Sequence, residues 1–556
     1  MAFGAATIWD VRTTGSDANG GGFSTLVTNM ATDLAATSAT GTAPVCTSAS
    51  YNFVAADVGH WLYIGAGTNW TPGWYQIASV ASNAATLTAT AGTGYLMNSG
   101  VPYAVTTADG CATTASPTGG TWSIDYSQSA AAAIAYTDAV VGATTTQYTS
   151  VLNPGGPNLI GNIFNVTSGA TVQRVQITVF TAAGLIVTCD KSLGTAAQVA
   201  VGNFGGALVT PGLVAGLKVN SNSVFVKDGS YTCSSSGNVA GGKIADTTVG
   251  TTTAPNYWIG WNAIRTVTNL DATKPLLKAT ANSMTVFATS GSVVIRNIKT
   301  GRNASETSVV GFSGGFALYT EWENCVATAL ATGWSLTNSN ALMLNCLADT
   351  CATGFSLGAA GERCIGCESK AHTAVGFTCG ENSCSFINCI AWGGTGSADG
   401  FKTTNNGVIF VNCTSYGNAG AGFTFTGGFE SHLLINCVAT GNSGKQFNLA
   451  TTTETSHRLL NCAAKADGTG TDNFNIVSKI GFIILTADPF TNAASGDFSL
   501  NTTSGGGAAC RAAGIPGVFP GGTTTGYLDI GAVQHADPAA SGGMVVHPGM
   551  GGRING

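Results

Sequence analysis

Charge is the scarcest property of this 556-residue chain. Asp, Glu, Lys and Arg together make up 9% of the residues, whereas a typical globular domain has about 25%. The formal net charge is −6 and the basic residues form no cluster, which argues against a nucleic-acid surface because such surfaces need a concentrated basic footprint. No cofactor and no nucleic-acid partner are therefore expected.

Two further patterns are missing. No stretch reaches the roughly 18 consecutive apolar residues that a membrane-spanning helix needs, so no membrane insertion is predicted. The opening "MAFGAATIWDVRTTGS" lacks a basic segment followed by an apolar one, so no secretory signal peptide is predicted. We expect a soluble protein that is made in a cytoplasm.

Long helical patterns are also scarce, and this limits the fold class. Hydrophobic residues make up 44% of the chain and the glycines number 77. Val, Ile, Leu and Phe recur in short runs separated by Gly and Asn, which is typical of strands separated by turns rather than of disorder. The sequence therefore predicts an all-β protein.

A repeated sequence motif is the strongest signal in the chain. The pair Asn-Cys recurs through the second half, with Gly366-Cys367 filling one gap, and the steps between cysteines run from 21 to 25 residues. An aromatic residue follows each cysteine by 9 to 12 residues. The cysteine column is Cys325, Cys346, Cys367, Cys389, Cys413, Cys437 and Cys462, and the aromatic column is Trp334, Phe355, Phe377, Phe401, Phe423, Phe447 and Phe474.

This period predicts a parallel β-helix, in which each coil of the chain contributes about three short strands. Leucine-rich repeats share the period, but their L-x-x-L-x-L frame is missing. Like residues in successive coils lie about 4.8 Å apart, so matching side chains form columns. If the solenoid extends over residues 201–535, it contains about 14 coils.

Strand alternation predicts which side chains face inward. Aliphatic residues stand two positions before most of the cysteines, and Ala or Ser stands two positions after them. Residues two apart on a strand share a face, so we expect these residues, the cysteines and the aromatic column to face the interior. The asparagines stand one position before the cysteines, so their side chains are expected on the opposite face of the strand. They would either form a ladder of hydrogen-bonded amides or form hydrogen bonds with backbone groups at a corner.

Several segments resemble a family of phage-encoded virion structural proteins with pectate-lyase-like, right-handed parallel β-helices. They are "IWDVRTTGSDANGGGF" (8–23), "VAADVGHWLYIGAGTNWTPGWYQIASVASNAATL" (54–87), "SVFVKDGSYT" (223–232) and "GYLDIGAVQH" (526–535). The resemblance implies a homotrimeric spike, fibre or head-decoration protein in the virion, in contact with other capsid or tail proteins.

The same reasoning divides the chain into five parts. Residues 1–30 are expected to form an amino-terminal strand and cap, 31–140 a small β domain, and 141–200 a transition into the first coils. Residues 201–535 form the β-helix. Residues 536–556, rich in Gly, Met and Pro, form either a tail or an arm that docks on a partner.

Glu321 and Glu323 are the best candidates for catalysis, because β-helix glycosidases use two acids that flank the glycosidic bond. Two residues apart on one strand, they lie about 7 Å from each other, but they share the parity of Cys325 and are expected to face inward. Glu362, Glu368 and Glu381 are scattered nearby. We therefore expect no catalytic site and no enzyme.

The remaining candidates favour structural roles. The spacing Cys364-x-x-Cys367 with Cys379 and Cys384 resembles a zinc site, but two of these positions belong to columns that are otherwise apolar, so no metal site is predicted. The thiols are expected to be free and buried rather than disulfide-bonded. The aromatic column is expected to be core, whereas Trp392, on a segment that interrupts the period, is the candidate for an exposed contact with a host glycan.

These observations lead to three hypotheses. The first is a non-enzymatic virion structural protein that provides rigid display and host attachment. The second is a tailspike enzyme, either a lyase or a glycoside hydrolase, that cleaves a host surface polysaccharide. The third is a secreted bacterial adhesin, which the missing signal peptide disfavours.

Overall fold

A computed structural model provides the structure of the chain. It describes residues 7–25, 27–36, 44–87, 94–98, 101–105, 117–127, 134–141, 146–149, 156–168, 171–181, 186–191, 199–219, 221–235, 237–238, 242–247, 250–251, 254–262, 273–315, 319–337, 340–426, 432–449, 457–465, 478–518 and 525–534. Phe474 and the segment 536–556 lie outside these residues. The chain forms two compact units: the first is 1–232 with 236–276, and the second is 233–235 with 277–556.

The first unit consists of short strands and one helix, α1 (Pro211–Leu217). Its strands are β1 (Thr7–Val11), β2 (Gly22–Ser24), β3 (Ala31–Ala36), β4 (Val45–Thr47), β5 (Trp61–Thr68), β6 (Gly73–Ala81), β7 (Ala84–Leu87), β8 (Gly94–Asn98), β9 (Val101–Val105), β10 (Thr118–Asp125), β11 (Ile134–Val141), β12 (Gln147–Thr149), β13 (Ile163–Ser168), β14 (Thr171–Thr181), β15 (Ile186–Cys189), β16 (Val199–Phe204), β17 (Ser223–Lys227), β18 (Ser230–Cys233), β19 (Ile244–Asp246) and β20 (Asn256–Trp261).

Two closed antiparallel barrels account for most of this unit. One has the strand order β10-β3-β4-β7-β6-β5, and the other has the order β11-β12-β15-β14-β13-β16. The alternation of buried and half-exposed positions explains how the cores of the barrels form. In β5, Leu62 and Ile64 are fully buried, while the residue between them is half-exposed. The sequence predicted one small β domain over 31–140 and a transition over 141–200, and the second barrel lies where that transition was expected.

The second unit also contains a one-turn helix, α2 (Gly507–Cys510). Its strands are β21 (Leu276–Ala279, whose first residue belongs to the first unit), β22 (Thr285–Thr289), β23 (Val293–Arg296), β24 (Lys299–Arg302), β25 (Val310–Gly314), β26 (Thr320–Glu323), β27 (Val326–Thr328), β28 (Thr332–Leu336), β29 (Ala341–Leu344), β30 (Leu347–Asp349), β31 (Thr353–Leu357), β32 (Arg363–Ile365), β33 (Glu368–Lys370), β34 (Val375–Cys379), β35 (Ser385–Ile387), β36 (Ile390–Trp392), β37 (Asp399–Thr403), β38 (Ile409–Val411), β39 (Thr414–Tyr416), β40 (Phe423–Phe425), β41 (Leu433–Ile435), β42 (Val438–Thr440), β43 (Phe447–Leu449), β44 (Arg458–Leu460), β45 (Ala463–Lys465), β46 (Ser478–Ile480), β47 (Ile483–Leu485), β48 (Phe490–Asn492), β49 (Asp497–Leu500), β50 (Pro516–Val518) and β51 (Thr525–Tyr527). No helix in the described residues has both the length and the apolar character needed to cross a membrane.

Three parallel sheets form the solenoid of this unit, and each coil adds one strand to each sheet. In this unit, sheet 1 contains β22, β25, β28, β31, β34, β37, β40 and β43; sheet 2 contains β23, β26, β29, β32, β35, β38, β41, β44 and β46; sheet 3 contains β21, β24, β27, β30, β33, β36, β39, β42, β45 and β47. The register is strict, with Phe386 beside Phe410 and Phe410 beside Leu434. This parallel β-solenoid confirms the predicted fold class.

The solenoid is shorter than predicted. It has about 8 turns rather than about 14, and the last coil strand, β47, ends at Leu485, well before the predicted end at 535. After Leu485 the chain forms the antiparallel pairs β48–β49 and β50–β51. Phe490, Phe498 and Ile530 from this segment pack with Val438 and Ala463 of sheet 3, so the segment covers the outer face of that sheet.

A single residue makes the corner between sheet 2 and sheet 3 in each coil. The repeated asparagines have φ between +49° and +57°, and glycines with φ of +65° and +66° replace them at Gly366 and Gly481. Asn and Gly are the residues that adopt this left-handed conformation most readily. The amides also form ladder contacts, since Asn324 Nδ2 donates to Asn297 Oδ1 at 3.0 Å and Asn412 Nδ2 donates to Asn388 Oδ1 at 3.1 Å.

This corner reverses the expected direction of the aliphatic residues before each cysteine. In "Ile435-Asn436-Cys437" the cysteine is fully buried, whereas Ile435 is half-exposed on the outer face of sheet 2. Strand alternation fails because the left-handed residue turns the chain between the two positions. The prediction that Leu344, Ile387, Val411, Ile435 and Leu460 face the interior is therefore wrong.

The described members of the aromatic column fill the interior behind sheet 1. From Trp334 to Phe447 successive rings are stacked with centroids 4.5 to 5.1 Å apart, which matches the spacing of strands. The glycine before most of these rings has a steric cause. A Cβ at Gly376 would lie 2.5 Å from the carbonyl oxygen of Gly400, so the next coil leaves no room for a side chain.

We predict that Phe423→Ala destabilises the second unit by about 3–5 kcal/mol, because Phe423 is fully buried between Phe401 and Phe447 and its removal leaves a cavity. Guanidinium unfolding followed by circular dichroism measures the effect. Thr378→Ala, on the half-exposed face of the same sheet, is the matched control and should cost less than about 1 kcal/mol. An unchanged midpoint for Phe423→Ala would contradict an interior column.

Candidate functional site

Glu321 and Glu323 lie on the outer face of sheet 2, not in the interior. Trp322, between them on β26, is fully buried, and the two glutamates are partly exposed. Asn324 has φ of +52° and forms the corner that separates this strand from Cys325. The expectation that the glutamates share the inward face of Cys325 is wrong for the same reason as for the aliphatic residues.

An arginine joins the two carboxylates. Arg296, the partner of Glu323 on the neighbouring strand, places Nε 2.7 Å from Glu323 Oε2 and Nη2 3.4 Å from Glu321 Oε1. The hydroxyl of Tyr319 donates to Glu321 Oε2. The exposed fractions of the three side chains, 25% for Arg296, 13% for Glu321 and 23% for Glu323, leave the group open to solvent.

A second cationic side chain also affects this group electrostatically. Burial, followed by the hydrogen bond and the charge of Glu321, raises the pKa of Tyr319, while Arg363 and Arg296 oppose the rise. Arg363 is exposed and lies two strands beyond Glu321 in the same column, with Leu342 between them. Arg296, Tyr319, Glu321, Glu323 and Arg363 are called the outer carboxylate cluster below.

The cluster combines the groups needed for acid–base chemistry on a sugar. Glycoside hydrolases use a pair of carboxyl groups, and Arg296 holds both carboxylates of this pair on one open face. The two guanidinium groups supply positive charge for an anionic substrate. The sequence had singled out both glutamates but not Arg296, Tyr319 or Arg363.

The sequence does contain a pattern that predicts the position of Arg296 beside the glutamates. "Arg296-Asn297" aligns with "Glu323-Asn324" one coil later, so the two corner asparagines place oppositely charged residues side by side. The column of repeated cysteines begins at Cys325, so the coil that contains Arg296 lies outside it. Tyr319 lies before the first residue of β26, where the repeat gives no fixed position.

The other glutamates noted in the sequence lie in different environments. Glu368 is nearly buried on the outer face of sheet 3 and accepts a hydrogen bond from Trp392 Nε1 at 2.9 Å. Glu362 is fully buried just before β32, where its Oε2 accepts from the backbone of Ala359 at 3.1 Å. The structure thus brings neither residue into the outer carboxylate cluster.

Glu362 carries the most perturbed carboxyl group of the unit. Burial, aided by the charge of Glu381 and opposed by the hydrogen bond from Ala359, raises its pKa to about 8. Its Oε1 has no hydrogen-bond partner in the structure. Because Glu362 has no exposed surface, its protonated carboxyl group cannot reach a substrate. It affects the stability of the fold instead.

Trp392 lies on β36 and faces the carboxy-terminal segment. Its ring packs edge-on against Phe498 with centroids 5.7 Å apart, and Trp392 borders the buried cluster that contains Phe490 and Ile530. The side chain is half-buried, so little of the ring is open to a glycan.

The cysteine column lines the interior beside the asparagine corner. Most of these thiols lie near the carbonyl of an inward residue one coil earlier, as in Cys413 Sγ to Phe386 O at 3.3 Å and Cys346 Sγ to Trp322 O at 3.4 Å. A thiol is small and is a weak donor, which suits a corner where a buried carbonyl needs a partner. Burial raises the pKa of the Cys346 thiol, so the group stays protonated.

The possible zinc ligands do not converge. Cys379 and Cys384 form a disulfide across the turn before β35, which differs from the expectation of free thiols at these two positions. Cys364 and Cys367 are free and buried. Among the described residues, no group of three or more His, Cys, Asp or Glu side chains has the arrangement of a metal site.

The buried histidines are also structural. His432 Nδ1 accepts a hydrogen bond from the Val408 backbone at 3.3 Å and its ring stacks on His457 at 5.0 Å. Burial, with a smaller contribution from His457, lowers the pKa of His432 to about 4. Because Nδ1 must be unprotonated to accept this bond, His432 is a neutral part of the interior.

Comparison with known proteins identifies relatives of the fold. No protein-family model and no curated protein matches the chain. Among solved structures it resembles pectate lyase Pel9A (16% identity, 59% of this chain and 91% of that one, TM-score 0.42) and a rhamnogalacturonan lyase (13% identity, 50% and 84%, TM-score 0.36). The catalytic domain of a GH87 alpha-1,3-glucanase in complex with tetrasaccharides is a further match (9% identity, 62% and 89%, TM-score 0.27).

These neighbours are pectate-lyase-like parallel β-helix proteins, and the sheets of this chain form a parallel β-solenoid. They contradict the expectation of a non-enzymatic protein, because each of the matched structures is named as a polysaccharide-degrading enzyme. At this level of similarity no residue role transfers from them to this chain. The chemistry has to be argued from the outer carboxylate cluster itself.

We predict that Glu362→Gln stabilises the second unit at pH 8 but not at pH 4.5. The folded state keeps the Glu362 proton up to about pH 8, whereas the unfolded carboxyl loses it near pH 4.5. Stability is therefore fully present below pH 4.5 and declines as the pH rises toward 8, by about a few kcal/mol. Guanidinium unfolding of both proteins across this range measures the difference.

Glu381→Gln is the control for the Glu362 prediction. It removes the neighbouring charge but leaves the burial of Glu362 unchanged, and burial is the larger cause of the shift. This variant should keep most of the decline between pH 4.5 and 8. Parallel pH profiles for Glu362→Gln and the unmodified protein would rule out a protonated Glu362.

Proposed function

We propose that this chain is a polysaccharide-degrading enzyme and that the outer carboxylate cluster cleaves the glycan. The observation that carries the proposal is the pair of carboxylates, Glu321 and Glu323, held by Arg296 on the open face of sheet 2. Such a combination is costly to maintain on a charge-poor surface and is suited to proton transfer. The named activities of the structural neighbours agree with this class of reaction.

Two mechanisms fit the cluster. In hydrolysis, one carboxylic acid donates a proton to the glycosidic oxygen while the other carboxylate activates water. In elimination, a base removes the proton from the carbon next to a uronic acid carboxylate while a cation neutralises that carboxylate. The glycosidic C–O bond on the following carbon then breaks, a double bond forms between the two carbons, and the leaving oxygen takes up a proton from an acid. Arg363 and Arg296 are placed to hold an anionic sugar, and Tyr319 donates a hydrogen bond to Glu321.

The biological setting is part of the proposal. The resemblance of four segments to phage virion proteins favours a tailspike that cleaves a polysaccharide on the host surface, with the β-helix as its rigid support. On this reading the protein works on the virion outside the cell. Identifying the chain in purified particles by mass spectrometry is the test of that setting.

We predict that the purified protein depolymerises an acidic polysaccharide and that Glu321→Gln and Glu323→Gln each reduce the rate by about 100-fold or more, because each removes a proton-transfer group. Size-exclusion chromatography of the glycan measures cleavage. Ultraviolet absorbance of the new chain ends distinguishes elimination, which leaves a double bond, from hydrolysis.

Asp349→Asn provides the matched control. Asp349 is also an outward carboxylate in an ion pair, 3.3 Å from Lys370 Nζ, but it lies on sheet 3. This variant should keep full activity. Equal loss in all three variants, or unchanged cleavage in both glutamate variants, would remove the cluster from the mechanism.

A further inference from the structure

The first unit contains an ion pair that solvent does not reach. Lys218 directly follows α1, and Asp246 is the last residue of β19. Neither side chain has any exposed surface, and Lys218 Nζ lies 2.7 Å from Asp246 Oδ1. By contrast, Lys370 and Asp349, which form a pair on sheet 3, are each 32% exposed. A chain with only 9% charged residues thus keeps a complete ion pair in its interior.

Close packing of α1 against β19 fixes the position of this pair. A Cβ at Gly212 in the helix would lie 2.6 Å from the carbonyl oxygen of Gly242, two residues before β19. The helix therefore approaches this segment as closely as backbone atoms allow. The amide of Lys218 donates to the carbonyl of Val214 at 2.9 Å, which holds the lysine backbone at the end of the helix. The lysine and the aspartate meet at a junction that leaves them little freedom to separate.

Two further side chains contact the Asp246 carboxylate. Trp258 Nε1 donates to Oδ2 at 2.7 Å, and Asn256 Nδ2 lies 3.5 Å from Oδ1. Both residues are fully buried in β20. The lysine amine and the tryptophan N–H thus contact different oxygens of one carboxyl group. An N–H group in a site without water stabilises the negative charge that develops on a carbonyl oxygen when a nucleophile attacks.

The environment of Lys218 favours its nucleophilic form. Removing two charges from water costs free energy that their attraction offsets only when the geometry is excellent. Burial lowers the pKa of Lys218, and the charge and hydrogen bond of Asp246 oppose this effect. Burial therefore favours the neutral amine over the ammonium, and the neutral amine is the form of lysine that attacks carbonyl carbon.

We propose that Lys218 and Asp246 condense to an intramolecular amide bond after the first unit folds. A proton passes from the ammonium group to Oδ1 of the carboxylate, and Nζ attacks Cγ to form a C–N bond. Trp258 Nε1 stabilises the oxyanion on Oδ2. A proton then passes from Nζ to Oδ1, the Cγ–Oδ1 bond breaks, the Cγ–Oδ2 double bond forms again, and one water molecule leaves. The reaction needs no oxidant and no cofactor.

The buried position also favours the product over the reactants. The amide carries no charge, so the free energy needed to keep two ions away from water is no longer required. Exclusion of water protects the new bond from hydrolysis. The bond ties α1 to β19, and a cross-link of this kind restricts the unfolded chain. This inference concerns the first unit and is independent of the proposed cleavage at the outer carboxylate cluster.

Peptide mass spectrometry of the full chain, denatured and digested with trypsin, tests the bond directly. Without the bond, trypsin cuts after Lys218 and releases 192–218, 219–227 and 244–265 as separate peptides. An amide at Lys218 removes the charge that trypsin recognises. We expect one species in which 192–227 is joined to 244–265, lighter than the sum of the two by one water molecule. Fragmentation should locate the link at Lys218 and Asp246.

Three variants separate the parts of the proposal. Lys218→Arg keeps the positive charge but has no amine to condense, so all of 244–265 should appear as a free peptide. Lys370→Arg makes the same change in the exposed pair and should leave the linked species unchanged. Trp258→Phe keeps an aromatic ring without the Nε1 donor and should slow formation of the link by at least 10-fold. The decline of free 244–265 in samples taken at intervals after synthesis measures that rate.

Each other outcome overturns the proposal. Free 244–265 as the main form in the unmodified, folded protein would leave a plain ion pair, and this measurement does not depend on the folding of any variant. A link from Lys218 to Asn256 would release ammonia instead of water and would assign the bond to a different residue. A linked species in Lys218→Arg would place the bond at another amine. An unchanged rate in Trp258→Phe would remove the indole from the reaction.

Discussion

The left-handed corner between sheet 2 and sheet 3 is the constraint on which the rest of the second unit depends. A chain that stacks coil on coil must turn at the same place in every coil, and here one residue with φ near +50° makes the turn. Asn meets this requirement at low cost and also bonds to the Asn above or below it. Gly366 and Gly481 replace it because Gly is the other residue that tolerates this conformation.

The corner also decides which side chains are available to solvent. On the strand before it, Trp322, Met343 and Phe386 face inward, and their neighbours face outward. The same rule that exposes Glu321 and Glu323 in one coil exposes aliphatic residues in the following coils. Charged and aliphatic residues therefore occupy different parts of one sheet face, and the coil repeat alone does not distinguish their roles.

Stacking in register places polar groups inside the solenoid as well, and the structure treats them as neutral components. His432 accepts from the backbone in its unprotonated form, and Glu362 keeps its proton up to about pH 8. Desolvation favours the neutral form in both cases. Burial thus keeps His432 and Glu362 neutral in the interior, whereas Glu321 and Glu323 lie outside, where they are partly exposed and ion-paired.

The sequence alone determined the all-β class, the coil period and the columns of Cys and aromatic residues, because a repeat with one residue type per position can satisfy every coil only by stacking. It did not determine the number of coils, since the antiparallel pairs after Leu485 and the coils before it both consist of short strands separated by turns. Nor did it determine the direction of Glu321, Ile387 or Ile435, because alternation holds only along a continuous strand and the backbone angle at the following Asn is a property of the folded chain. Only the tertiary structure decided that the carboxy-terminal segment packs against Trp392 and that Arg296 contacts the two glutamates. Both features depend on contacts between coils or segments that are distant along the chain.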